Sequence, residues 1–190
     1  MQRLFVAIEP PAAIRAHLLS LMGGLPHARW QSDDQLHLTV RFIGTVDRHQ
    51  ARDCEAALAG LNHPVFSLQL AGIGTFSRRG EGASLWVGVK PEAPLHTLFN
   101  KVNRTLERVG LPPETRAYAP HITLARFPRP GPQKLEPFVA GVGGITSPPF
   151  MVDALTLYES HLTSDRAYYQ PLARYPLSAV TLLASGSENR

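Results

Sequence analysis

Two segments of this chain, residues 36–43 and 118–127, contain the same tripeptide, His-x-Thr, inside a run in which polar and apolar residues alternate. The two histidines, His37 and His121, lie 84 residues apart (121 − 37). Alternation with a period of two is typical of a β-strand that buries one face and leaves the other accessible. The repeated pattern therefore predicts two similar strands, each presenting one histidine and one threonine on the same face.

Regular alternation gives the first strand a polar face with His37, Thr39 and Arg41, and an apolar face with Leu38, Val40 and Phe42. In the second strand His121 and Thr123 share one face, and Ile122 and Leu124 share the other. A polar face within an apolar strand costs free energy unless it lines a wet cleft or finds hydrogen-bonding partners. Because one motif occurs in each half of the chain, we expect a pseudo-twofold arrangement in which both strands line a shared cleft.

Two histidines and two threonines in one cleft suit the hydrolysis of a phosphodiester. Histidine titrates close to neutral pH, so a neutral imidazole can take a proton from water while a charged one gives a proton to the departing oxygen. The hydroxyls of Thr39 and Thr123 can hydrogen-bond the phosphoryl oxygens as charge develops there. A structural alternative stays open, in which each histidine is satisfied within the core or a turn and each threonine simply favours a strand.

Paired histidines also suggest a metal site. A catalytic zinc ion normally needs three protein ligands and a structural one needs four. No Asp, Glu or Cys accompanies either motif histidine at ligand spacing, so we expect no metal. The sequence also lacks the glycine-rich phosphate loop, the nucleophile elbow and the dinucleotide-binding turn, and we expect no cofactor.

The other six histidines are not predicted to take part in the chemistry. A third copy of the tripeptide, His161-Leu162-Thr163, lies among polar, turn-like residues, and we interpret it as a chance match in a loop. The remaining histidines occur in helical or turn contexts and are predicted to lie on the surface: His17, His27, His49, His63 and His96.

The composition is that of a globular chain suited to an anionic partner. With 190 residues, 44% of them hydrophobic, the sequence predicts a single domain over residues 1–184, followed by a disordered tail over 185–190. The net charge of +4 comes mainly from arginine, which favours phosphate, although genome base composition explains it equally well. No segment has the roughly 20 apolar residues of a membrane span, and the first apolar run is too short for a signal peptide. The single cysteine, Cys54, excludes an internal disulfide and favours a reducing cytoplasm.

Predicted helices and strands are interspersed along the chain. The helices cover residues 11–22, 47–61 and 93–109, and Asp47 is expected to cap the second. The strands cover residues 4–8, 28–31, 36–43, 66–73, 84–89, 118–127, 150–158 and 168–177, with a proline-rich loop over 128–137. Half-exposed alternation favours antiparallel pairing, so the predicted class is α+β.

Several further segments occur in the order found in one family. They are Arg-Leu-Phe-Val-Ala-Ile from residue 3, Ala-Arg-Trp ending at Trp30, Leu-His-Leu-Thr-Val-Arg-Phe-Ile-Gly from residue 36, Leu-Trp-Val-Gly-Val from residue 85, Pro-His-Ile-Thr-Leu-Ala-Arg from residue 120 and Leu-Tyr-Glu-Ser from residue 157. On these residues the chain resembles the 2H phosphoesterase superfamily, named for its two His-x-Thr/Ser motifs, and within it the bacterial 2′-5′ RNA ligase family.

The resemblance implies a bilobal α+β fold in which two antiparallel sheets, with helices outside, line a central cleft. It also implies metal-independent hydrolysis of RNA-terminal 2′,3′-cyclic phosphates to 2′-phosphomonoesters. In that reaction His121 would be the general base for water, and His37 would be the acid that protonates the ribose 3′ oxygen. Thr39 and Thr123 would hold phosphate oxygens.

The resemblance adds two site residues, each five positions after a motif histidine. Arg126 matches an arginine near the phosphate, and Phe42 matches an aromatic residue that can contact the base or ribose. Strict alternation would put both side chains on the far face of their strands. Their roles at the site therefore require that the strands end or bulge before them; otherwise the two residues have packing roles.

The two motifs say less about substrate preference and partners than about the reaction. The chain departs from the family pattern at residues 82–84 and 161–166, in predicted loops that affect substrate preference more than chemistry. The Arg78-Arg79 pair is interpreted as a solvated hairpin tip, with an RNA backbone contact as the alternative. We expect RNA ends or cyclic nucleotides as partners, no membrane partner, and a monomer. Two other functions stay open: an RNA-end or nucleotide-binding module without turnover, and 2′-5′ joining of RNA ends.

Overall fold

The computed structural model describes residues 1–77, 83–127, 135–163 and 167–178. Its strands are β1 (Gln2–Ile8), β2 (Arg29–Trp30), β3 (Leu38–Val46), β4 (Phe66–Ser77), β5 (Ala83–Lys90), β6 (His121–Arg126), β7 (Phe150–Val152), β8 (Ala154–Leu162) and β9 (Ala167–Pro176). Its helices are α1 (Ala12–Ser20), α2 (Arg48–Ala59), α3 (Ala93–Glu107) and α4 (Leu135–Val142), with a short 3-10 helix at Asp33–Gln35. The interspersed helices and strands confirm the α+β class.

Within the described ranges all nine strands belong to one antiparallel sheet. Its order is β7-β4-β5-β6-β3-β1-β8-β9, and β2 pairs with the C-terminal end of β6. The motif strands β3 and β6 are neighbours at the centre, where they meet through a single pair, Leu38 and Ile122. The two predicted sheets are therefore the halves of one curled sheet. We call β3, β1, β8 and β9 the first half, and β6, β5, β4 and β7 the second half.

Helices cover the outer face of the sheet. Helix α3 packs against β3 and α2, and it buries Leu95, Leu98, Val102 and Leu106, which are spaced three or four residues apart. Helix α2 begins at the predicted cap, where Asp47 Oδ1 accepts a hydrogen bond from the Gln50 amide at 2.9 Å. None of the helices in the described ranges has the length and hydropathy needed to span a membrane. The inner face of the sheet is left to form the cleft.

The structure corrects several predictions for the C-terminal third. Residues 135–137, predicted as loop, begin helix α4, where a proline in the first turn removes no helical hydrogen bond. The predicted strand over 150–158 is divided into β7 and β8. Strand β8 continues through Leu162, so His161 and Leu162 belong to a strand and not to a loop. The predicted hairpin tip at 78–82, residues 128–134 and 164–166, and the tail over 185–190 lie outside the described residues.

One histidine predicted for the surface is buried. His63 is 3% exposed, and its ring meets that of Phe66 edge-on at a centroid distance of 5.5 Å. Its Nδ1 lies 2.8 Å from the Pro64 carbonyl oxygen. The prediction was wrong because Ser178, far away in sequence, pairs back onto this segment and donates its amide to the His63 carbonyl.

Candidate active site

A β-bulge in each motif strand decides which side chains reach the cleft. In β3, Thr39 and Arg41 pair with consecutive residues of β1, so Val40 between them is an extra residue. The same shift between β5 and β6 makes Leu124 the extra residue of the second strand. Each bulge directly follows the motif threonine, and an extra residue reverses the alternation of side chains beyond it.

The bulges turn Phe42 and Arg126 toward the cleft. Both line the same cavity as the motif histidines, although regular alternation would have placed them on the opposite face. The bulge alternative considered for these two residues is therefore the observed one. The same reversal overturns the prediction for Arg41, which was expected beside His37 but is only 6% exposed on the core side.

The buried Arg41 connects β3 to the segment that precedes β6. Its Nη1 lies 3.0 Å from Oε2 of Glu114, and its Nη2 donates to the carbonyl oxygen of Pro112 at 2.6 Å. The exposed Arg116 binds the same carboxylate, and this hydrogen bond lowers the pKa of Glu114 to about 2. Arg41 thus ties the segment that precedes His121 to strand β3.

Both motifs line one cavity of about 560 Å³ in the concave face of the sheet. All six predicted site residues are on its wall: His37, Thr39, Phe42, His121, Thr123 and Arg126. The shared cleft predicted from the repeated motif is confirmed. Further lining residues, to which sequence reasoning gave no role, include Arg3, Phe5, Gln31, Ser84 and Tyr169. The described lining contains two arginines and no aspartate or glutamate, so the cavity attracts anions.

Each motif histidine is held by a hydrogen bond between its Nδ1 and the backbone carbonyl two residues earlier. Nδ1 of His37 lies 2.8 Å from the carbonyl oxygen of Gln35, and Nδ1 of His121 lies 2.7 Å from that of Ala119. A carbonyl oxygen only accepts, so each Nδ1 carries a proton and donates. Nε2 is therefore the nitrogen of each ring that is available to exchange a proton. The two carbonyl groups are separated by the same 84 residues as the two histidines.

Aromatic rings flank both imidazoles. The ring centroids of Phe5 and Tyr169 lie 4.9 and 5.1 Å from that of His37. In the second half, Phe76 and Trp86 lie 4.9 and 6.0 Å from the second imidazole. These rings replace water around the histidines, and such an environment disfavours their charged forms.

The pKa values of both histidines are lowered. Burial is the main cause for His37, where the pKa falls from 6.5 to about 4 against the opposing effect of the Gln35 carbonyl. The charges of Arg126 and His121 lower it further. Burial also lowers the pKa of His121, and Arg126 contributes in the same direction. At neutral pH, without a bound anion, both imidazoles are neutral and ready to accept a proton.

Sequence reasoning missed the aromatic residues around the histidines. Phe5 belongs to a nearly continuous apolar strand, which predicts core and gives no sign of a cleft. Tyr169 comes from the last described strand, more than 130 residues from His37 in the chain. No local pattern links these residues; only the strand order β3-β1-β8-β9 brings them together.

Comparison with known proteins places this geometry in a family context. A relative from Geobacillus stearothermophilus, named RNA 2′,3′-cyclic phosphodiesterase, is 35% identical over 180 residues; the match covers 91% of this chain, which spans 56% of that relative's length. A relative of the same name from Escherichia coli K12 is 30% identical over 187 residues, covering 93% of this chain and 97% of the relative.

Solved structures agree with the fold. The apo structure of E. coli LigT superimposes with a TM-score of 0.74 at 29% identity, covering 93% of this chain and 98% of LigT. LigT has also been solved in complex with 3′-AMP, with ATP and with phosphate. The protein TT0787 of Thermus thermophilus matches with a TM-score of 0.77 at 22% identity, covering 94% of this chain and 99% of that protein, which supports the fold alone.

The family model of the 2′-5′ RNA ligase superfamily matches residues 10–163, a range that contains both motifs and all six predicted site residues. This match confirms the resemblance that the two tripeptides and the flanking segments indicate. The chain belongs to the 2′-5′ RNA ligase superfamily of 2H phosphoesterases.

Proposed function

We propose that this protein is a metal-independent phosphodiesterase that opens 2′,3′-cyclic phosphates at RNA ends. The observation that carries the proposal is the matched pair of histidines, each with Nδ1 bonded to a backbone carbonyl, in one cavity that attracts anions. The names of the curated relatives support this substrate class. A zinc site is not favoured because the described lining offers no carboxylate or thiol as a third ligand.

In the proposed reaction the two histidines act on opposite sides of the phosphorus. Nε2 of His121 takes a proton from the attacking water, and Nε2 of His37 gives a proton to the departing 3′ oxygen. The ring opens to a free 3′-hydroxyl and a 2′-phosphomonoester. Thr39 and Thr123 hydrogen-bond the phosphoryl oxygens, and Arg126 balances their growing negative charge.

The lowered pKa of His37 supports a role for the substrate in preparing the acid. The acid has to carry a proton, yet the pKa of His37 is about 4 in the empty cavity. An anionic phosphate placed between the motifs stabilises the imidazolium and raises this pKa. Protonation of His37 is therefore coupled to substrate binding, and His121 remains the neutral base.

The first half supplies the surface for the nucleoside. Phe42 is 49% exposed and its ring lies 5.9 Å from that of Phe5, which in turn stacks on Tyr158 at 5.2 Å. An aromatic face beside the phosphate site can stack on a base with little preference for sequence. We assign Phe42 to contact with the base or ribose of the terminal nucleotide.

The proposal also covers the assembly state and the location of the protein. We propose a monomer in the cytoplasm, a location suggested by the single cysteine, which the structure buries. RNA ends and cyclic nucleotides are the proposed partners. The complexes of LigT with 3′-AMP and ATP make a nucleotide a reasonable ligand for this cleft as well.

The decisive experiment incubates the purified protein, with EDTA present, with a 2′,3′-cyclic nucleotide and with a short RNA that ends in one. The products are resolved into 2′- and 3′-phosphates. We expect a 2′-phosphate from the wild type and none from His37→Ala or His121→Ala. His161→Ala is the matched control, because the His161 side chain does not line the cavity, and this variant should keep full activity.

Three results would change the proposal. Binding of a cyclic nucleotide without cleavage over hours would favour the binding module. Joined RNA fragments, formed from a cyclic phosphate end and a 5′-hydroxyl end without a nucleotide triphosphate, would favour ligation. Activity that disappears with EDTA would contradict the metal-independent reaction.

A further inference from the structure

The residue whose carbonyl holds His37 has a buried polar side chain. Gln35 is the last residue of the short 3-10 helix and is only 7% exposed. Its Oε1 accepts a hydrogen bond from the Ser32 amide at 3.1 Å, and its Nε2 donates to the carbonyl oxygen of Ala167 at 2.6 Å. Both ends of the buried amide are therefore satisfied, as the burial of a polar group requires.

The bond to Ala167 spans 132 residues of the chain and reaches the strand that carries Tyr169. Strand β9 begins at Ala167 and is the edge strand of the sheet in the described ranges, where it pairs with β8. The Gln35 side chain adds a second support to the first residue of this edge strand. Two residues later, the Tyr169 ring meets the His37 ring edge-on at a centroid distance of 5.1 Å.

His37 thus lies between two groups that are both connected to Gln35. One is the backbone carbonyl of Gln35, whose oxygen lies 2.8 Å from Nδ1. The other is the ring of Tyr169, whose strand the Gln35 side chain holds. A single hydrogen bond leaves an imidazole free to tilt, whereas a ring packed against it limits that movement. The position of His37 therefore depends on both connections.

The 3-10 helix that carries Gln35 is also fixed at its first residue. Nε of Arg15 lies 2.9 Å from Oδ1 of Asp33, and its Nη1 lies 2.9 Å from Oε1 of Glu9, next to the end of β1. The side chain of Arg15 is 18% exposed, so solvent reaches this ion pair only in part. Gln35 therefore extends toward β9 from a segment that is already held in place.

We propose that Gln35 is a positioning residue for the acid: it sets the separation between the carbonyl that holds His37 and the tyrosine ring packed against it. This inference rests on the proposed function, which assigns His37 as the group that protonates the departing 3′ oxygen. An acid has to direct its proton at the leaving atom, and a displacement of about 1 Å can cost roughly 100-fold in rate. The corresponding residue of the second half is Ala119, whose methyl group forms no hydrogen bond, so this kind of bridge does not occur behind His121.

The test uses two substrates that differ in whether they need an acid. One is a 2′,3′-cyclic nucleotide, and the other is its analogue with sulfur in place of the bridging 3′ oxygen, which leaves as a thiolate without protonation. We expect Gln35→Met to lower kcat about tenfold on the oxygen substrate with little change in KM, because the acid is displaced while the binding groups stay in place. On the sulfur substrate Gln35→Met should match the wild type.

Gln50→Met is the matched control. Nε2 of Gln50 donates to the carbonyl oxygen of Val109, also at 2.6 Å, and this bond likewise joins distant parts of the chain but lies outside the cavity. Its loss should lower the urea midpoint of unfolding and leave kcat unchanged on both substrates.

Two further variants connect the effect to β9. Gln35→Glu keeps the size of the side chain and the acceptor for the Ser32 amide but, when ionised, loses the donor to Ala167. It should therefore behave like Gln35→Met, and it carries the test if the methionine variant folds poorly. Tyr169→Leu should also lower kcat on the oxygen substrate, and adding Gln35→Met to it should lower kcat little further, because both changes remove the same support.

Any other pattern overturns the inference. A fall of equal size on both substrates, or an equal loss in Gln50→Met, would mean that Gln35 supports the fold and not the acid. An unchanged kcat in Gln35→Met would have the same meaning. Losses from Tyr169→Leu and Gln35→Met that multiply would exclude the tyrosine as the connection. A wild type that hydrolyses neither substrate, or a His37→Ala variant equally impaired on both, would instead contradict the proposed function, and this inference with it.

Discussion

The two halves of the sheet share a backbone design and differ in what they place on it. Both have a histidine whose Nδ1 bonds to the carbonyl two residues earlier, a threonine two residues later, and a bulge directly after that threonine. Five residues after the histidine, the first half has Phe42 and the second half has Arg126. The proposed reacting groups are thus duplicated, while the cavity-lining residues that follow them are not.

The positions next to these also differ. Arg41 of the first half corresponds to Ala125 of the second, and both are buried on the core side. Beside the threonines, β1 provides the small Ala7 whereas β5 provides Trp86. A symmetric pair of histidines lies in an asymmetric cavity because, five residues after the histidine, the first half provides an aromatic ring and the second half a cation. The difference teaches that the proposed acid and base roles have to come from the surroundings, because the two motifs share the same backbone and hydrogen bond.

The largest effect is expected from the histidines themselves. His37→Ala and His121→Ala should each lower kcat/KM about 1000-fold, which is typical for losing a general acid or base. A cyclic substrate with sulfur in place of the bridging 3′ oxygen separates the two roles, because a thiolate leaves without protonation. Activity on that substrate should recover in His37→Ala and stay low in His121→Ala. Recovery in the opposite variant would exchange the two roles.

Arg126 is expected to matter next. Arg126→Met keeps the length of the side chain and removes its charge, so kcat/KM should fall about 100-fold through loss of charge stabilisation in the transition state. Steady-state kinetics on a cyclic nucleotide measure it. Arg126→Lys should recover part of the loss. A change confined to KM would show that the arginine binds the ground state and the transition state equally well.

Arg41, which the bulge in β3 places in the core, is expected to affect stability. Arg41→Met should lower the free energy of unfolding by about 2 kcal/mol, since it removes a buried partner of Glu114. Arg116→Met is the matched control because Arg116 binds the same carboxylate from an exposed position, and it should cost less than about 1 kcal/mol. Urea unfolding measures both. Equal losses would contradict the difference in burial.

Phe42 is expected to act mainly on substrate binding. Phe42→Ala should raise KM for an RNA substrate about tenfold with a small change in kcat, because a stacked base loses its partner. Phe42→Tyr keeps the ring and should behave like the wild type. A fall in kcat with unchanged KM would assign Phe42 to positioning of the phosphate and not to nucleoside binding.

The smallest expected effect is a difference in position between the pH profile of kcat/KM and that of kcat. The pKa of His37 is about 4 in the free protein, so kcat/KM should fall as pH rises above the range where His37 holds its proton. Bound phosphate raises that pKa, and the kcat profile should lie about one pH unit higher. Both limbs belong to the coupled pair. Arg126→Met should move the kcat/KM profile upward, because the arginine lowers the pKa of both histidines. Superimposable profiles in the wild type would contradict coupling to substrate.

Local patterns predicted much of the fold correctly. Helix α2 begins at the capping residue Asp47, and the strands around both motifs occur where alternation indicates them. Helix α4 was missed because its proline and the prolines before it resemble a loop. His63 was placed on the surface because nothing near it in sequence reveals that Ser178 covers it. The first error arises because a proline is tolerated in the first turn of a helix. The second arises because a contact between residues far apart in the sequence leaves no trace in a local pattern.

The sequence alone determined the proposed reacting groups of this protein: two histidines and two threonines at a fixed spacing, on strands whose alternation gives them a common face. Tertiary structure alone decided which side chains join them. The bulges at Val40 and Leu124 bring Phe42 and Arg126 into the cavity and send Arg41 to the core. The physical reason is that a side chain's face depends on residue parity, which the sequence gives, and on the pairing register, which only the neighbouring strand can set.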